Sequence, residues 1–204
     1  SLFVGLNNIK NLLSHFNIKD IKLNPTIALG TVEMSPLELT AIYNTFASEG
    51  VYYKPQLIKE VKDSYSNSLY KTSSPSTRLL NKKTSIILNY LLQSPFDKAL
   101  GSYANPSLIN YQTKARFSAK TGTTESSSWV VGYNPSYTIC VYVGTDENES
   151  LKNTSLSKKM FLEIANSLCP KIDTSFYEIP ITCKEFTLTN KLNNLETKIY
   201  IKEK

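Results

Sequence analysis

The sequence lacks the features of membrane proteins and of metal sites. No apolar run reaches about 18 residues, the length that a transmembrane helix needs. A basic start followed by an apolar segment, the pattern of a signal peptide, is also absent. The only histidine is His15 and the three cysteines have no CxxC spacing, so we predict no metal site.

The three cysteines do not indicate a redox role. Cys140 falls within an apolar strand pattern and is expected to be a core residue. Cys169 and Cys183 could form a disulfide only in an oxidising compartment, and we expect them to be free thiols.

The composition is that of a globular protein with dispersed basic charge. Hydrophobic residues make up 41% and charged residues 20% of the 204 residues, which argues against a disordered chain. The formal net charge is +6, but the lysines are scattered singly rather than clustered with aromatic residues. This distribution does not favour nucleic acid as a partner. The length predicts one domain.

Residues 35–50 contain the clearest helix signals in the chain. Ser35 fits the N-cap position, Pro36 the first helical position and Glu38 the reciprocal position of a capping box. Gly50 supplies the stop signal at the other end. The apolar residues expected to face the core are Leu39, Ile42, Tyr43 and Phe46.

Apolar spacing of three and four residues predicts three further helices, at residues 2–16, 82–94 and 155–168. In the last of these, the residues expected to point inward are Met160, Phe161, Ile164, Ala165 and Leu168.

Short apolar runs separated by turns predict strands. A ribbon is predicted at residues 51–72, and an antiparallel meander at about 115–122, 128–134 and 137–144. Trp129, Val131 and Tyr133 should share one face of the meander, with Val130 and Gly132 on the other. Residues 95–114 are predicted to form a surface loop, and residues 171–204 a loosely ordered tail or the start of an appended element.

The segment AKTGTT at residues 119–124 places a lysine, hydroxyls and a glycine at the rim of this meander. Alternation along a strand puts Thr121 and Thr123 on one face and Lys120 with Gly122 on the other. Because Gly122 has no side chain, another backbone can lie against the strand.

This combination suits an extended ligand that ends in a carboxylate. The strand would pair with the ligand backbone, while the threonine hydroxyls and Lys120 would hold the carboxylate. The backbone N–H of Thr123 would be free to stabilise an oxyanion. The tripeptide alone also fits a strand end with a solvated lysine, and a P-loop is excluded because no glycines precede the lysine.

The surrounding sequence resembles the penicillin-binding transpeptidases, and most closely their bifunctional (class A) members. AKTGTT is followed after four residues by WVVGYNP and then by a strand that ends in VGTDE. Upstream, NPTIALGTVEMSPLELTAIYNTFASEGVYYKP resembles the family's stretch after its second motif. The resemblance spans residues 1–168 with the segments in the family's order, and we predict a boundary between this part and residues 169–204.

The resemblance implies an α/β fold of the β-lactamase and penicillin-binding type, with an antiparallel meander flanked by helices. It implies acyl transfer without cofactor or metal, in which a serine attacks a peptidoglycan stem peptide ending in D-Ala-D-Ala, and β-lactams as mimics of that end. The family's signatures are Ser-x-x-Lys, Ser-x-Asn and Lys-Thr-Gly. The residues that match the third signature are Lys120, Thr121, Gly122 and Thr123. Among them, the resemblance implies that Lys120 is the catalytic residue.

Thr124 and Glu125 belong to the same expected rim. The family often has an amide at the position of Glu125, so a carboxylate there is expected to weaken the binding of an anionic ligand. The resemblance also implies that the protein acts at the extracytoplasmic face of the bacterial cell membrane.

The other two family motifs are not matched. Ser68-Leu-Tyr-Lys71 lies in the predicted ribbon, and Ser155-Leu-Ser-Lys158 follows the third motif, where Ser155 is interpreted as a helix cap. Ser-x-Asn does not occur. We therefore expect the chain to be the C-terminal half of a transpeptidase domain, which depends on an upstream half for its nucleophile and is inactive alone.

Two alternatives remain open. One is a related serine hydrolase, either a monofunctional transpeptidase or a β-lactamase. The other is a non-catalytic module that resembles penicillin-binding proteins and serves as a binding module or scaffold. An in-frame Ser-x-x-Lys and Ser-x-Asn before Ser1 would separate the enzymes from the module.

Overall fold

The computed structural model describes residues 4–19, 21–101, 104–147 and 149–202. Its α-helices are α1 (Leu6–His15), α2 (Pro36–Ala47), α3 (Lys82–Leu91) and α4 (Leu156–Leu168). Each matches a predicted helix. Of the predicted helix at residues 2–16, Val4 and Gly5 precede the first turn, which starts at Leu6. Leu2 and Phe3 lie outside the described residues.

Helix α2 begins after the predicted N-cap and ends at Ala47, two residues before the predicted end at residue 49. The Ser35 hydroxyl accepts a hydrogen bond from the Glu38 backbone N–H at 3.2 Å, and the Glu38 carboxylate accepts one from the Ser35 N–H at 2.7 Å. Gly50 follows the helix with a φ of 93°, and a Cβ at this position would lie 2.3 Å from the Leu80 carbonyl oxygen. Only glycine fits there without rearrangement.

The strands of the described residues form four small antiparallel sheets. They are β1 (Val51–Tyr53), β2 (Glu60–Lys62), β3 (Ser68–Lys71), β4 (Ser76–Arg78), β5 (Ser118–Thr123), β6 (Ser127–Tyr133), β7 (Thr138–Gly144), β8 (Cys183–Thr189) and β9 (Glu196–Lys202). Strand β1 pairs with β4, β2 with β3, and β8 with β9. The largest sheet is the three-stranded meander β5-β6-β7.

The meander is confirmed, and the ribbon prediction is partly wrong. Two separate strand pairs take the place of the single ribbon expected over residues 51–72. Strand β2 pairs with β3, whereas β1 pairs with β4, a strand that was not predicted. The predicted start at residue 115 is also too early. Ala115 forms a parallel bridge with Asp173, so the pairing with β6 begins only at Ser118.

Helices cover both faces of the meander in the way that the side-chain alternation predicted. On one face, a Cβ added to Gly132 would lie 2.4 Å from Phe161 of α4, and Val130 packs in the same cluster as Phe161. On the other face, Tyr133 is buried and donates a hydrogen bond to Asn89 of α3 at 2.8 Å. Its ring also lies 6.1 Å from that of Tyr43 of α2.

Helix α4 buries a narrower stripe than the sequence predicted. Phe161 and Ala165 point inward as expected, and Ser157 is buried with them. Met160, Ile164 and Leu168 are 40%, 38% and 42% exposed, so their predicted inward orientation is wrong. The buried residues repeat every four positions and so form the one line that meets the sheet, whereas the other three form the adjacent line.

The C-terminal residues form a hairpin of β8 and β9, in place of a loosely ordered tail. The ring of Tyr200 lies 4.5 Å from the ring of Tyr90 on α3. The described residues of 95–114 form a loop with short 3-10 turns at Ser94–Phe96 and Lys98–Leu100. The predicted surface position is partly wrong, because Leu108 is fully buried in the core. Cys140, Cys169 and Cys183 are all free thiols, and Cys140 is half-buried. Among the described residues, every helix is too short or too polar to cross a bilayer.

Candidate functional site

Among the described residues, strand β5 pairs only with β6, so its other edge is free at Lys120–Thr123. We call this the β5 free edge. At the start of the strand, the backbone N–H of Ala119 points away from β6 and donates to Leu92 O at 2.8 Å. Just beyond the strand, the N–H of Thr124 points toward β6 and donates to Ser127 O at 2.8 Å. Because this direction alternates along a strand, the backbone groups of Thr121 and Thr123 point outward from the sheet.

The ammonium group of Lys120 lies at the same edge. Its Nζ donates a hydrogen bond to the carbonyl oxygen of Thr121 at 2.7 Å, and the side chain is exposed. The Lys120 side chain starts on the face of the sheet that carries Val131, its cross-strand partner. It therefore bends around the strand and places a positive charge beside the outward backbone groups.

The hydroxyl of Thr121 is held by a residue that the sequence did not indicate. Its Oγ1 donates to the Oγ of Ser107 at 2.8 Å. Ser107 belongs to the loop before β5 and is part of no motif, so only the folded chain brings it to the strand. This bond fixes the orientation of the Thr121 side chain on the face opposite Lys120.

Gly122 has open space above it. A Cβ at this position would lie 3.7 Å from the Cβ of Trp129, which is ordinary van der Waals contact. The packing of the described residues therefore does not require a glycine here. Beyond Gly122, the ring of Trp129 lies 4.4 Å from that of Tyr142, and these rings form the neighbouring surface.

Thr124 and Glu125 begin the turn that follows β5. The Oγ1 of Thr124 and the Oγ of Ser127 lie within hydrogen-bond distance at 2.7 Å. A carboxylate oxygen of Glu125 accepts from the Ser150 hydroxyl at 2.7 Å, and the Glu125 carbonyl accepts from Leu151 N at 2.8 Å. The turn is thus tied to the loop after β7, and all the predicted site residues lie along one continuous stretch of rim.

Neither Ser-x-x-Lys string has the geometry of a nucleophile and its base. Ser68 begins the exposed strand β3. Ser155 occupies the N-cap position of α4, as predicted, but its hydroxyl donates to Asn153 at 2.7 Å and makes no cap bond to the helix. Lys158 has its Nζ 6.0 Å from the ring of Tyr111. Within the described part of the chain, no three His, Cys, Asp or Glu side chains group to hold a metal ion.

Comparison with known proteins shows the family of the chain. Residues 13–166, about three quarters of the chain, match the family model described as penicillin binding protein transpeptidase domain. The chain belongs to this family. Among curated relatives, penicillin-binding protein 2D of Bacillus subtilis is 27% identical over 183 residues, covering 86% of this chain and 26% of that protein. The chain thus spans about a quarter of the length of this relative.

Solved structures show the same fold. Penicillin-binding protein 1A from Haemophilus influenzae superposes with a TM-score of 0.74 at 15% identity, covering 96% of this chain and 36% of that one. Penicillin-binding protein 3 from Mycobacterium tuberculosis, in complex with ampicillin, gives 0.65 at 15% identity, covering 84% and 48%. The fold is therefore the β-lactamase-like transpeptidase fold that the sequence resemblance implied.

Proposed function

We propose that this chain forms the substrate-binding part of a peptidoglycan DD-transpeptidase. The observation that carries the proposal is the β5 free edge, where outward backbone groups, threonine hydroxyls and the Lys120 ammonium lie together. A stem peptide ending in D-Ala-D-Ala would add to this edge as an extended strand. Lys120 and the hydroxyl of Thr123 would hold its terminal carboxylate.

In this proposal the edge also assists the reaction. The N–H of Thr123 points outward and would donate to the carbonyl oxygen of the penultimate D-Ala as that oxygen becomes an oxyanion. A serine forms the acyl-enzyme with release of D-Ala, and an amine of a second stem peptide then takes the acyl group. Neither Ser68 nor Ser155 is placed for this attack, so we assign the chain the binding half of the reaction and the nucleophile to residues other than these.

β-Lactams would bind at the same edge because they mimic the D-Ala-D-Ala end. The complex of a protein of this fold with ampicillin supports this choice of ligand. The substrate places the proposed site of action at the extracytoplasmic face of the bacterial cell membrane.

A non-catalytic binding module is the second candidate. It is favoured by one observation, that neither Ser-x-x-Lys string among the described residues pairs a serine hydroxyl with a lysine Nζ. Such a module would use the same edge to bind stem peptides without acylation.

A fluorescent penicillin tests the proposed function. The 204-residue chain should form no covalent adduct by intact mass spectrometry, whereas the protein as its gene encodes it should be acylated on a serine other than Ser68 or Ser155. Replacing Lys120 with alanine or Thr123 with valine should then slow acylation by about a hundredfold each, because each change removes a contact that holds the terminal carboxylate and so misplaces the scissile carbonyl. No adduct on the encoded protein would favour the binding module, and an adduct on Ser68 or Ser155 would contradict our assignment.

A further inference from the structure

A cavity of about 810 Å³ separates the β8–β9 hairpin from the segment that joins α3 to β5. Its apolar walls are Phe96 and Phe117 on one side and Leu188 and Ile199 on the other. Sites for small molecules typically measure about 300–1,000 Å³ and have mostly apolar walls. The cavity lies next to the Ser118 end of β5, whereas the β5 free edge is at the other end of the strand.

The hairpin is fixed at both ends, and this keeps the walls apart. Near its turn, the hydroxyl of Thr197 donates to the Asp97 carboxylate, and the Asn193 amide donates to Ala99 O at 3.2 Å. At the far end of β9, Tyr200 packs against Tyr90. These anchors hold the hairpin beside the rest of the chain with a space between them.

Arg116 lines the cavity and has no carboxylate partner among the described residues. Its guanidinium donates to the side-chain oxygen of Gln93 at 2.7 Å and to Thr174 O at 3.5 Å, and it lies 4.7 Å from the ring of Phe176. All of these partners are uncharged. The Nε2 of Gln93 is buried and lacks an acceptor within the described residues, so this end of the cavity has an excess of donors.

The other charged groups around the cavity do not neutralise Arg116. Asp97 and Glu196 lie at the end of the cavity far from Arg116. Glu196 is four residues before Tyr200 on β9, about 13 Å along an extended strand, and Asp97 accepts a hydrogen bond from the neighbouring Thr197. Burial raises the pKa of the Tyr90 phenol, nearby Arg116 lowers it, and Glu185 raises it to a smaller extent, so both charges lie near this ring. Glu185 is already paired with Lys198 at 2.7 Å.

We propose that this cavity binds a small molecule with an apolar body and a single carboxylate. The carboxylate would pair with the remaining N–H groups of Arg116, whose planar guanidinium is already oriented by its stacking on Phe176. The apolar body would lie between Phe117 and Leu188. The site is separate from the proposed stem-peptide site and does not depend on it.

Paired ligands test the role of charge. Naphthaleneacetic acid and naphthaleneethanol have the same ring system and differ in charge. By isothermal titration calorimetry, the wild-type chain should bind the acid at least about tenfold more tightly, since a hydrogen bond between two charged groups is stronger than one to a neutral hydroxyl. Arg116→Gln should abolish this preference and leave the affinity for the alcohol unchanged. Lys114→Gln is the matched control, because Lys114 is exposed and does not line the cavity; it should behave as wild type.

A second variant tests the cavity itself. Arg116 also joins α3 to residues 174–176, so its replacement can weaken the fold. Leu188→Trp fills the cavity from the hairpin, where Leu188 is 52% exposed and the fold depends on it little. This variant should bind neither ligand while unfolding in urea like the wild type. Equal affinity of the wild type for acid and alcohol, no binding of either, or binding unchanged in Leu188→Trp would each overturn the proposal.

Discussion

The two outer strands of the meander, β5 and β7, present open edges of opposite chemistry. The outward part of β5 carries exposed Lys120 and Thr123 and half-buried Thr121. Strand β7 reads TICVYVG without a charged residue, and its outward backbone groups belong to the positions alternating from Thr138 to Gly144. Within the described residues, no other strand pairs with either edge.

This difference indicates different occupants. A lysine on an edge strand discourages pairing with other strands, and the same lysine can bind an anionic ligand. An apolar edge without charge has no such protection and pairs readily with another strand. We therefore expect β5 to bind a small extended ligand and β7 to pair with a strand.

The largest expected effect concerns the β7 edge. The wild-type chain should be oligomeric or poorly soluble, because its apolar edges pair between copies. Tyr142→Lys places a charge on a side chain that is 47% exposed and should convert the chain to a monomer. Light scattering after size-exclusion chromatography measures both states. Thr123→Lys, the matched change on β5, should leave the oligomer intact. A monomeric wild type at high concentration would argue against an open β7 edge.

Alanine substitutions at two glycines distinguish a role in ligand binding from a role in packing. Gly132→Ala on β6 should lower the free energy of unfolding by about 3 kcal/mol, because the added methyl meets the fully buried ring of Phe161. Gly122→Ala should change stability by less than about 1 kcal/mol, since its methyl meets only ordinary contacts and alanine suits a strand better.

Gly122→Ala should nevertheless weaken stem-peptide binding by about tenfold or more, because the methyl occupies space left open beside the edge. Urea unfolding and calorimetric titration give the two quantities. Equal destabilisation by both alanines would show that Gly122 is a packing residue.

Alkaline pH should destabilise the face of the meander that α2 covers. Burial, with a smaller effect of nearby Cys140, raises the pKa of Tyr43 from the ordinary 10.0 to about 12, and burial also raises the pKa of Tyr133. The unfolded chain loses these protons first. The stability that they contribute is therefore complete below pH 10 and lost as the pH rises toward 12.

Urea unfolding between pH 8 and 12 should show this fall, and Tyr43→Phe should reduce it. The absorbance at 295 nm should show a group of tyrosines that ionise late. A flat stability profile across this range would place Tyr43 in contact with solvent.

The smallest effect is expected at Ser107. Ser107→Ala removes the acceptor of the Thr121 hydroxyl but no packing, so stability should change by less than about 1 kcal/mol. Peptide affinity should fall a few-fold, because Thr121 loses its fixed orientation. Ser94→Ala, a change on an exposed serine elsewhere in the chain, is the control and should leave affinity unchanged.

Local signals explain what the sequence predicted well. The capping residues of α2 and the alternation in β5 to β7 depend on neighbours in the chain, and both appear as expected. The position of Lys120 on a strand rim follows from the same alternation. Family resemblance predicted the fold correctly, and the assignment of Lys120–Thr123 to the third motif stays a prediction.

Contacts between distant segments could not be predicted in the same way. Ser107 and Thr121 are hydrogen-bonded although they lie 14 positions apart in the sequence. Strands β1 and β4 pair although the whole β2–β3 hairpin lies between them in the sequence. Asp173 bridges to Ala115 and delays the start of β5. On α4, periodicity identified an apolar surface but not which of its two lines meets the sheet.

The most direct test of the account is the binding of a peptide ending in D-Ala-D-Ala to the 204-residue chain, followed by amide NMR and calorimetry. We expect shifts at the N–H groups of Thr121 and Thr123, and an affinity that falls about tenfold or more in Lys120→Met or when the peptide carboxylate is amidated. Binding that is indifferent to both changes, or shifts confined to β7, would contradict the assignment of the β5 free edge as the substrate site.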